Sequence, residues 1–441
     1  MEEKKNGLGL GSLVSISTGT VVGAGVVSLL GVAMLMTGAS SWLAYAAAVV
    51  AGLIVISPYI LLCTTMRIKG GNYSYVSAVL GDFWGGMYGL CFTMVGLAMG
   101  LFGMSLGTYV KLLIPGINVR IFAMCAVTAF YILNLFGVNI VAKVEKTMFW
   151  FLLGGLLLYI VMGFTKMTPA TMTLNDPEFF SAGVGGFISA VVLLMFSTTG
   201  QSYVVAFSRE ARNPKRDIPL AILITTGIIF LLYTGVGFVT CNILPVSEVA
   251  GQNLAVVARE IMPSWLYYAF IICAPIFAIF TTMNSSFVTF SRPLETMVKD
   301  GFFPASWAKN NKHGVPYILI TFIYIIGMLP LVLNFSMGAI VDDSILIESI
   351  AEILAIVAVM RFPKKIEGAW ENRYWKFSKG FFYTVLVLAL AVRIALVVNT
   401  CITLTPAIAI VTVVAAAVFA IYSYLRCKAG KVKIIKSYEL Q

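Results

Sequence analysis

Charge and histidine are scarce in this sequence. Asp, Glu, Lys and Arg make up 11% of the 441 residues, and His313 is the single histidine. Soluble domains carry roughly one quarter charged residues, so this chain has too little polar surface to coat a soluble globule of its size. The seven cysteines, at positions 63, 91, 125, 241, 273, 401 and 427, include no Cys-x-x-Cys pair. They read as small apolar fillers, which argues against a disulfide or thiolate-metal framework. Long polar stretches are missing too. The longest run from Arg361 to Lys379 and from Arg426 onward, so no soluble domain fits and any binding must occur among apolar segments. A membrane enzyme would need a convergent nucleophile, base or metal set. One loop histidine in "NKHGVP" and no His/Cys cluster argue against that class, and no appended signalling domain supports a sensor.

Hydrophobic residues fill the space: 60% of the chain, with a mean hydropathy of +0.95. At about 20 apolar residues per bilayer crossing, twelve spans are expected. They fall near 12–36, 40–66, 83–110, 121–138, 147–165, 183–207, 218–241, 265–290, 316–334, 342–360, 380–399 and 402–425. Basic loops are retained on the cytoplasmic side. Alternate connections and both tails hold 25 of the 30 Lys and Arg residues, which puts both termini in the cytoplasm. The net charge of +11 then records topology and attraction to anionic lipid, with no call for nucleic acid. The first span is too long for a cleaved signal peptide and is expected to be kept. Trp42, Trp84, Trp265 and Trp307 lie near span ends as interfacial anchors.

Two spans are interrupted. In "GTVVGAGVV", Gly19 to Val27, glycines occupy the middle of span 1, where the helix is expected to unwind over Gly23, Ala24 and Gly25. The following half-helix would present N–H groups and a positive dipole end to a carboxylate. Carbonyls released by the preceding half could hold an ammonium or a cation. The plainer account is close helix packing through the Gly19–Gly23 pair. Five spans later, "FSTTGQSY" places Ser197, Thr198, Thr199, Gly200, Gln201 and Ser202 inside an apolar helix, which packing explains poorly. Matching breaks in spans 1 and 6 suggest two inverted repeats around a midplane site.

With "KGGNYSYV" (Lys69 to Val76), "SREARNPKRDIPLAI" (Ser208 to Ile222) and "SRPLETMVKDGFFP" (Ser291 to Pro304), these segments resemble the amino acid transporters of the amino acid-polyamine-organocation superfamily. The resemblance implies an all-α integral membrane fold in one domain over residues 1–441. Two inverted five-helix repeats, about 12–165 and 183–360, would be followed by helices 11 and 12 at about 380–425. It also implies alternating access in the plasma (inner) membrane. Carried over, the substrate-binding residues are Val21, Gly23, Ala24, Gly25, Phe196, Ser197, Thr199 and Ser202. The carboxylate would meet N–H groups at Ala24 and Gly25, and the ammonium would meet carbonyls near Val21, Phe196, Ser197 and Thr199. Phe196 would cover the substrate from outside. Thr198 and Thr199 stand where many relatives have glycine or alanine, which narrows the pocket toward a small or medium neutral L-amino acid.

No cofactor is expected beyond Na⁺ or H⁺ as coupling ion, and no protein partner is evident. Na⁺ prefers hard oxygen ligands, offered by Thr282, Ser285 and Ser286 of "TTMNSSF" and by the break at Val22. Many relatives carry a lysine in span 5; the corresponding position here is near Leu152, in a span without charge. In span 10, Glu348 and Glu352 share a helix face. Ionisable residues at membrane depth are functional candidates, here as a proton-coupling site or as an anion selecting a cationic amino acid or polyamine. The plainer account is an internal ion pair with Arg393. In the loop after span 6, Glu210 and Asp217 can pair with Arg209, Arg212, Lys215 and Arg216, and Pro219 suits the first turn of the next helix; the plainer account is a positive-inside anchor.

Overall fold

The computed structural model describes residues 7–68, 71–136, 141–167, 177–208, 210–366, 368, 370–403, 406–434 and 438–440. An apolar segment in hydrocarbon has no water to satisfy its backbone, so it pairs its own N–H and C=O groups as helix. Among the described residues, eight helical stretches are long and apolar enough to cross a membrane: Leu10–Ser28, Leu30–Cys63, Asp82–Leu113, Thr147–Lys166, Gly183–Phe207, Pro214–Ile243, Ser264–Lys299 and Lys379–Ile402. Val119–Leu135 and Tyr317–Val332 are apolar but shorter. Met337–Lys365 carries the acidic residues of the tenth predicted span, and Pro406–Lys428 follows near the C-terminus. The predicted spans overlap these helices, and the first, 12–36, is divided between Leu10–Ser28 and the start of Leu30–Cys63. The eighth runs past its predicted end to Lys299 because "SRPLETMVK" continues as helix.

Leu231, Val184 and Ile402 are among many large apolar side chains left exposed, as expected where lipid is the neighbour. Tyrosine is prominent inside: Tyr45, Tyr59, Tyr73, Tyr75, Tyr88, Tyr109, Tyr159 and Tyr233 are fully buried. Lipid-soluble helices gain little by hiding apolar surface from one another, so close packing and interhelical hydrogen bonds hold them together. Tyr159 Oη pairs with Thr240 Oγ1 at 2.8 Å, and Tyr109 Oη donates to the Val27 carbonyl at 2.5 Å. The Asp82–Leu113 stretch supplies the close packing. A β-carbon at its Gly107 would lie 2.7 Å from the Val119 carbonyl oxygen, so that the neighbouring helix approaches nearly to backbone contact.

Two expectations need correction. Pro219 lies inside Pro214–Ile243, and Pro214 takes the first helical position. Proline suits that position because its missing N–H is one the helix does not use. The Asp217 N–H already bonds to the Asn213 carbonyl at 2.7 Å, so the helix is under way before Pro219. Among the described residues the fold also contains a pair of short strands, Met66–Ile68 antiparallel to Tyr438–Leu440, with Arg67 opposite Glu439. Both segments lie outside helices, and the ladder satisfies backbone groups that helices do not.

Gly107→Leu is expected to destabilise the purified protein by about 1–3 kcal/mol through overpacking. Gly154→Leu, at an exposed glycine with nothing within 4 Å of its added β-carbon, is expected to leave the thermal midpoint unchanged. Equal midpoints for the two variants would contradict this helix packing.

Candidate functional site

The first interruption is one residue earlier than expected. Leu10–Val21 ends as Val22 adopts φ −76°, ψ 97°; Gly23 is extended at φ −157°, ψ −145°, and helix resumes at Ala24. The extended residues are therefore Val22 and Gly23, while Ala24 and Gly25 already form the first turn of the next half-helix. Paired β-branched residues at 21 and 22 weaken the helix there. Glycine is required by space: a β-carbon at Gly23 would overlap Thr282 Oγ1, and one at Gly25 would overlap the Ser197 side chain. The Leu29 N–H bonds to the Gly25 carbonyl at 3.0 Å and leads into Leu30–Thr37. No side chain caps the new start at Gly23, so its first-turn N–H groups are oriented for an anion. The Val21 carbonyl, expected to meet an ammonium, accepts Tyr233 Oη at 2.8 Å and keeps one lone pair.

The second interruption follows Gly183–Met195. The N–H groups of Phe196, Ser197 and Thr198 bond three residues back, to Leu193, Leu194 and Met195 at 3.3, 3.0 and 3.0 Å, and a 3₁₀ helix runs from Gly200 to Phe207. The hydroxyls in this run are largely occupied. Ser197 Oγ donates to the Leu194 carbonyl at 2.7 Å, Thr198 Oγ1 to the Ala48 carbonyl at 3.1 Å and Ser202 Oγ to the Thr199 carbonyl at 3.0 Å. Tyr45 Oη joins the two breaks, lying 3.3 Å from both the Gly25 carbonyl and Ser197 Oγ. Ser17 Oγ and Thr20 Oγ1 reach the carbonyls of Gln201 and Gly200, each at 3.3 Å. Gln201 Oε1 is buried without a hydrogen-bond partner.

Between the breaks lies a cavity of about 60 Å³. It brings together Val21, Gly23, Ala24, Gly25, Phe196, Ser197 and Thr199, and adds Thr282, Ser286 and Glu348 from the coupling-ion candidates. Ser202 instead lines an adjoining 30 Å³ cavity with Asn72, Tyr88 and Tyr203. Ser285 lines a 430 Å³ vestibule with Gly19, Thr20, Trp150, Asn284 and Arg292. Thr20 lines both the vestibule and the central cavity. Val22 is fully buried, and so is Leu152. Thr282 Oγ1 donates to the Ala278 carbonyl at 2.8 Å and Ser285 Oγ to the Thr281 carbonyl at 2.8 Å, which leaves their lone pairs available to a cation. Tyr203, Phe290, Phe102, Val95 and Ala98 complete the central wall. Sequence reasoning missed these residues together with Tyr45 and Tyr233. Tyrosines embedded in apolar runs were the available signal, since a buried phenol needs a partner.

The expected charge lattice forms differently. Glu210 pairs with Arg292, from outside the loop motif, at 3.5 Å, and Arg292 also lies over the Phe207 ring at 4.1 Å from its centre. Arg212 Nε donates to the Gly7 carbonyl at 2.7 Å, and Lys215 Nζ to the Asn372 carbonyl at 3.1 Å; Arg209 lies outside the described residues. These basic side chains satisfy backbone carbonyls, which helix and loop ends supply in excess. Leu8 forms an isolated parallel bridge to Ala211, with the Leu8 N–H on the Glu210 carbonyl at 2.7 Å and the Arg212 N–H on the Leu8 carbonyl at 2.9 Å. Glu348 and Arg393 line a gap of about 10 Å³ shared with Phe196 and Thr199. Glu352 Oε1 accepts from Tyr88 Oη at 3.1 Å and Asn72 Nδ2 at 3.3 Å.

A multi-pass helical membrane protein, with a cavity between two interrupted helices, is the class these features define. The chain belongs to the amino acid permease family, whose model matches residues 8–425, and so to the amino acid-polyamine-organocation superfamily. It is 22% identical over 343 residues to the branched-chain amino acid permease BcaP of Bacillus subtilis, covering 72% of each chain. It is 25% identical over 358 residues to the aromatic amino acid permease FywP of Lactococcus lactis, covering 74% of this chain and 76% of the other. To the serine/threonine exchanger SteT of Bacillus subtilis it is 23% identical over 408 residues, covering 88% of this chain and 91% of the other. These relatives are transporters by name, and none is named as an enzyme.

Tyr233→Phe is expected to cost about 1–3 kcal/mol, because it withdraws the hydroxyl from a buried carbonyl at the helix break. Phe in place of Tyr131, whose half-buried hydroxyl meets Thr321 away from the breaks, is expected to cost less. Denaturation midpoints of the two variants compare them directly.

Proposed function

We propose that this permease is a secondary active transporter that carries a small or medium neutral L-amino acid across the plasma membrane by alternating access. The observation that carries this is the central cavity, which joins the uncapped helix start at Ala24 and Gly25 to the turn at Phe196–Thr199. One break offers donors to a carboxylate, and the other offers carbonyls to an ammonium. The cavity's small volume and the Thr199 side chain favour a small substrate. The named relatives handle branched-chain, aromatic and hydroxylated amino acids, a spread that leaves side-chain size to this cavity.

The architecture in this proposal is twelve helices, ten of them in two inverted repeats with the breaks at matching positions. Both termini face the cytoplasm by the distribution of basic residues. The 430 Å³ vestibule adjoins Arg292, so it serves as the inner route to the site. Transport is by cation symport or by exchange. Thr282 and Ser286 in the cavity wall support a Na⁺ site completed by backbone oxygens at the Val22 break. A second reading rests on Glu348, whose presence in the wall supports selection of a cationic amino acid or polyamine.

Thermal midpoints of the purified protein against a panel of amino acids and polyamines, with Na⁺ or choline and at two pH values, separate these readings. A ligand of the folded state raises the midpoint by mass action. The expected result is a rise with a small neutral amino acid that is lost in Gly25→Leu, where the side chain fills the carboxylate end. Retained binding in that variant would sink the site. A rise only with cationic ligands, abolished by Glu348→Gln, would establish the second reading.

A further inference from the structure

Half-buried Glu348 and buried Glu352 and Arg393 form a cluster beside the central cavity. Glu352 and Arg393 are each 5% exposed, and Glu348 lines both the cavity and the 10 Å³ gap that it shares with Arg393. A gap of that size is about the volume needed for one water molecule. Glu352 Oε1 is held by Asn72 and Tyr88, whereas its Oε2 is buried without a partner. Arg393 Nη1 donates to Ser349 Oγ at 3.4 Å, and its Nε is likewise buried without a partner. Two buried polar atoms of the cluster, Glu352 Oε2 and Arg393 Nε, thus lack partners.

Among the described residues, the cluster contains two acids and one base. Fully ionised it carries one uncompensated negative charge, which is costly in a low-dielectric interior unless it is neutralised. One proton bound by either carboxylate removes that charge. Tyr88 and Tyr203 are the titratable groups beside it, with Tyr75 and Cys63 beyond Tyr88 and Tyr59 tilted beside Tyr75. None supplies a compensating positive charge. Four residues of helix, about 6 Å of rise, separate Glu348 at the cavity from Glu352, and both donors to Glu352 line the adjoining 30 Å³ cavity. The acids therefore lie between the central cavity and the adjoining one.

We propose that this cluster holds one exchangeable proton and that the substrate's α-ammonium, bound beside Phe196–Thr199, displaces it, making transport a proton/amino acid exchange. The proposal rests on the central cavity being the amino acid site. With substrate bound, its ammonium and the Arg393 guanidinium face the two carboxylates, while its own carboxylate is held apart by the uncapped N–H groups at Ala24 and Gly25. The proton leaves the carboxylic O–H to water, and a proton returns when the amino acid departs on the other side. One amino acid crosses for one proton moving oppositely.

Infrared difference spectroscopy of the purified full-length protein at neutral pH reads the C=O stretch of protonated carboxylic acids directly. One such acid per protein is expected, absent in both Glu348→Gln and Glu352→Gln, because each variant leaves a balanced carboxylate–guanidinium pair and no unmatched charge to prevent folding. A mixture of neutral L-amino acids is expected to abolish the wild-type band. Absence of the band in wild type, or its persistence in both variants, overturns the proposal. If the mixture raises the thermal midpoint yet leaves the band, the exchange step is wrong and the cavity assignment stands. If it changes neither, both fail.

Discussion

Everything in this protein is arranged around the cost of leaving a peptide group unpaired inside a membrane. Helices meet that cost by pairing their own backbone, so a helix broken at mid-depth must find other partners for the groups it releases. Here the partners are hydroxyls. Tyr233 takes the Val21 carbonyl, Tyr45 reaches Gly25 and Ser197, and Ser17 and Thr20 take Gln201 and Gly200. The uncapped N–H groups after Gly23 are the complement of that pattern, donors with no protein side chain assigned to them.

Much of this was legible in the sequence, for a physical reason. Span positions are set by the length of apolar chain needed to cross hydrocarbon, so they survive without knowledge of neighbours. Gly23, Gly25 and the polar run at 197–202 stood out because each contradicts its apolar context. Which side chains complete the cavity was hidden, because Phe102 and Phe290 resemble any other core aromatic until the helices are packed. Partner choice was hidden for the same reason. Glu210 and Arg292 come from segments some eighty residues apart, and charge alone did not identify their pairing. Pro219 misled because two prolines compete for one helix start and only local geometry selects Pro214.

The same scarcity of charge that identified the chain as a membrane protein concentrates meaning in the few charges it buries. Glu348 lines the central cavity and, with Arg393, a neighbouring gap. The surface charges behave otherwise. Arg212, Lys215 and Arg426 are bound to backbone carbonyls, where they finish loop and helix ends.

The bridge between Leu8 and Ala211 has a mechanical meaning. It fastens the chain just before the first interrupted helix to the chain just after the second, using backbone bonds that do not depend on side-chain identity. Two half-helices that end at one joint share a handle: a tilt imposed on either is delivered to the other at the same end. The central cavity lies at the far ends of both arms, so the two arms that wall it are hinged like a pair of tongs.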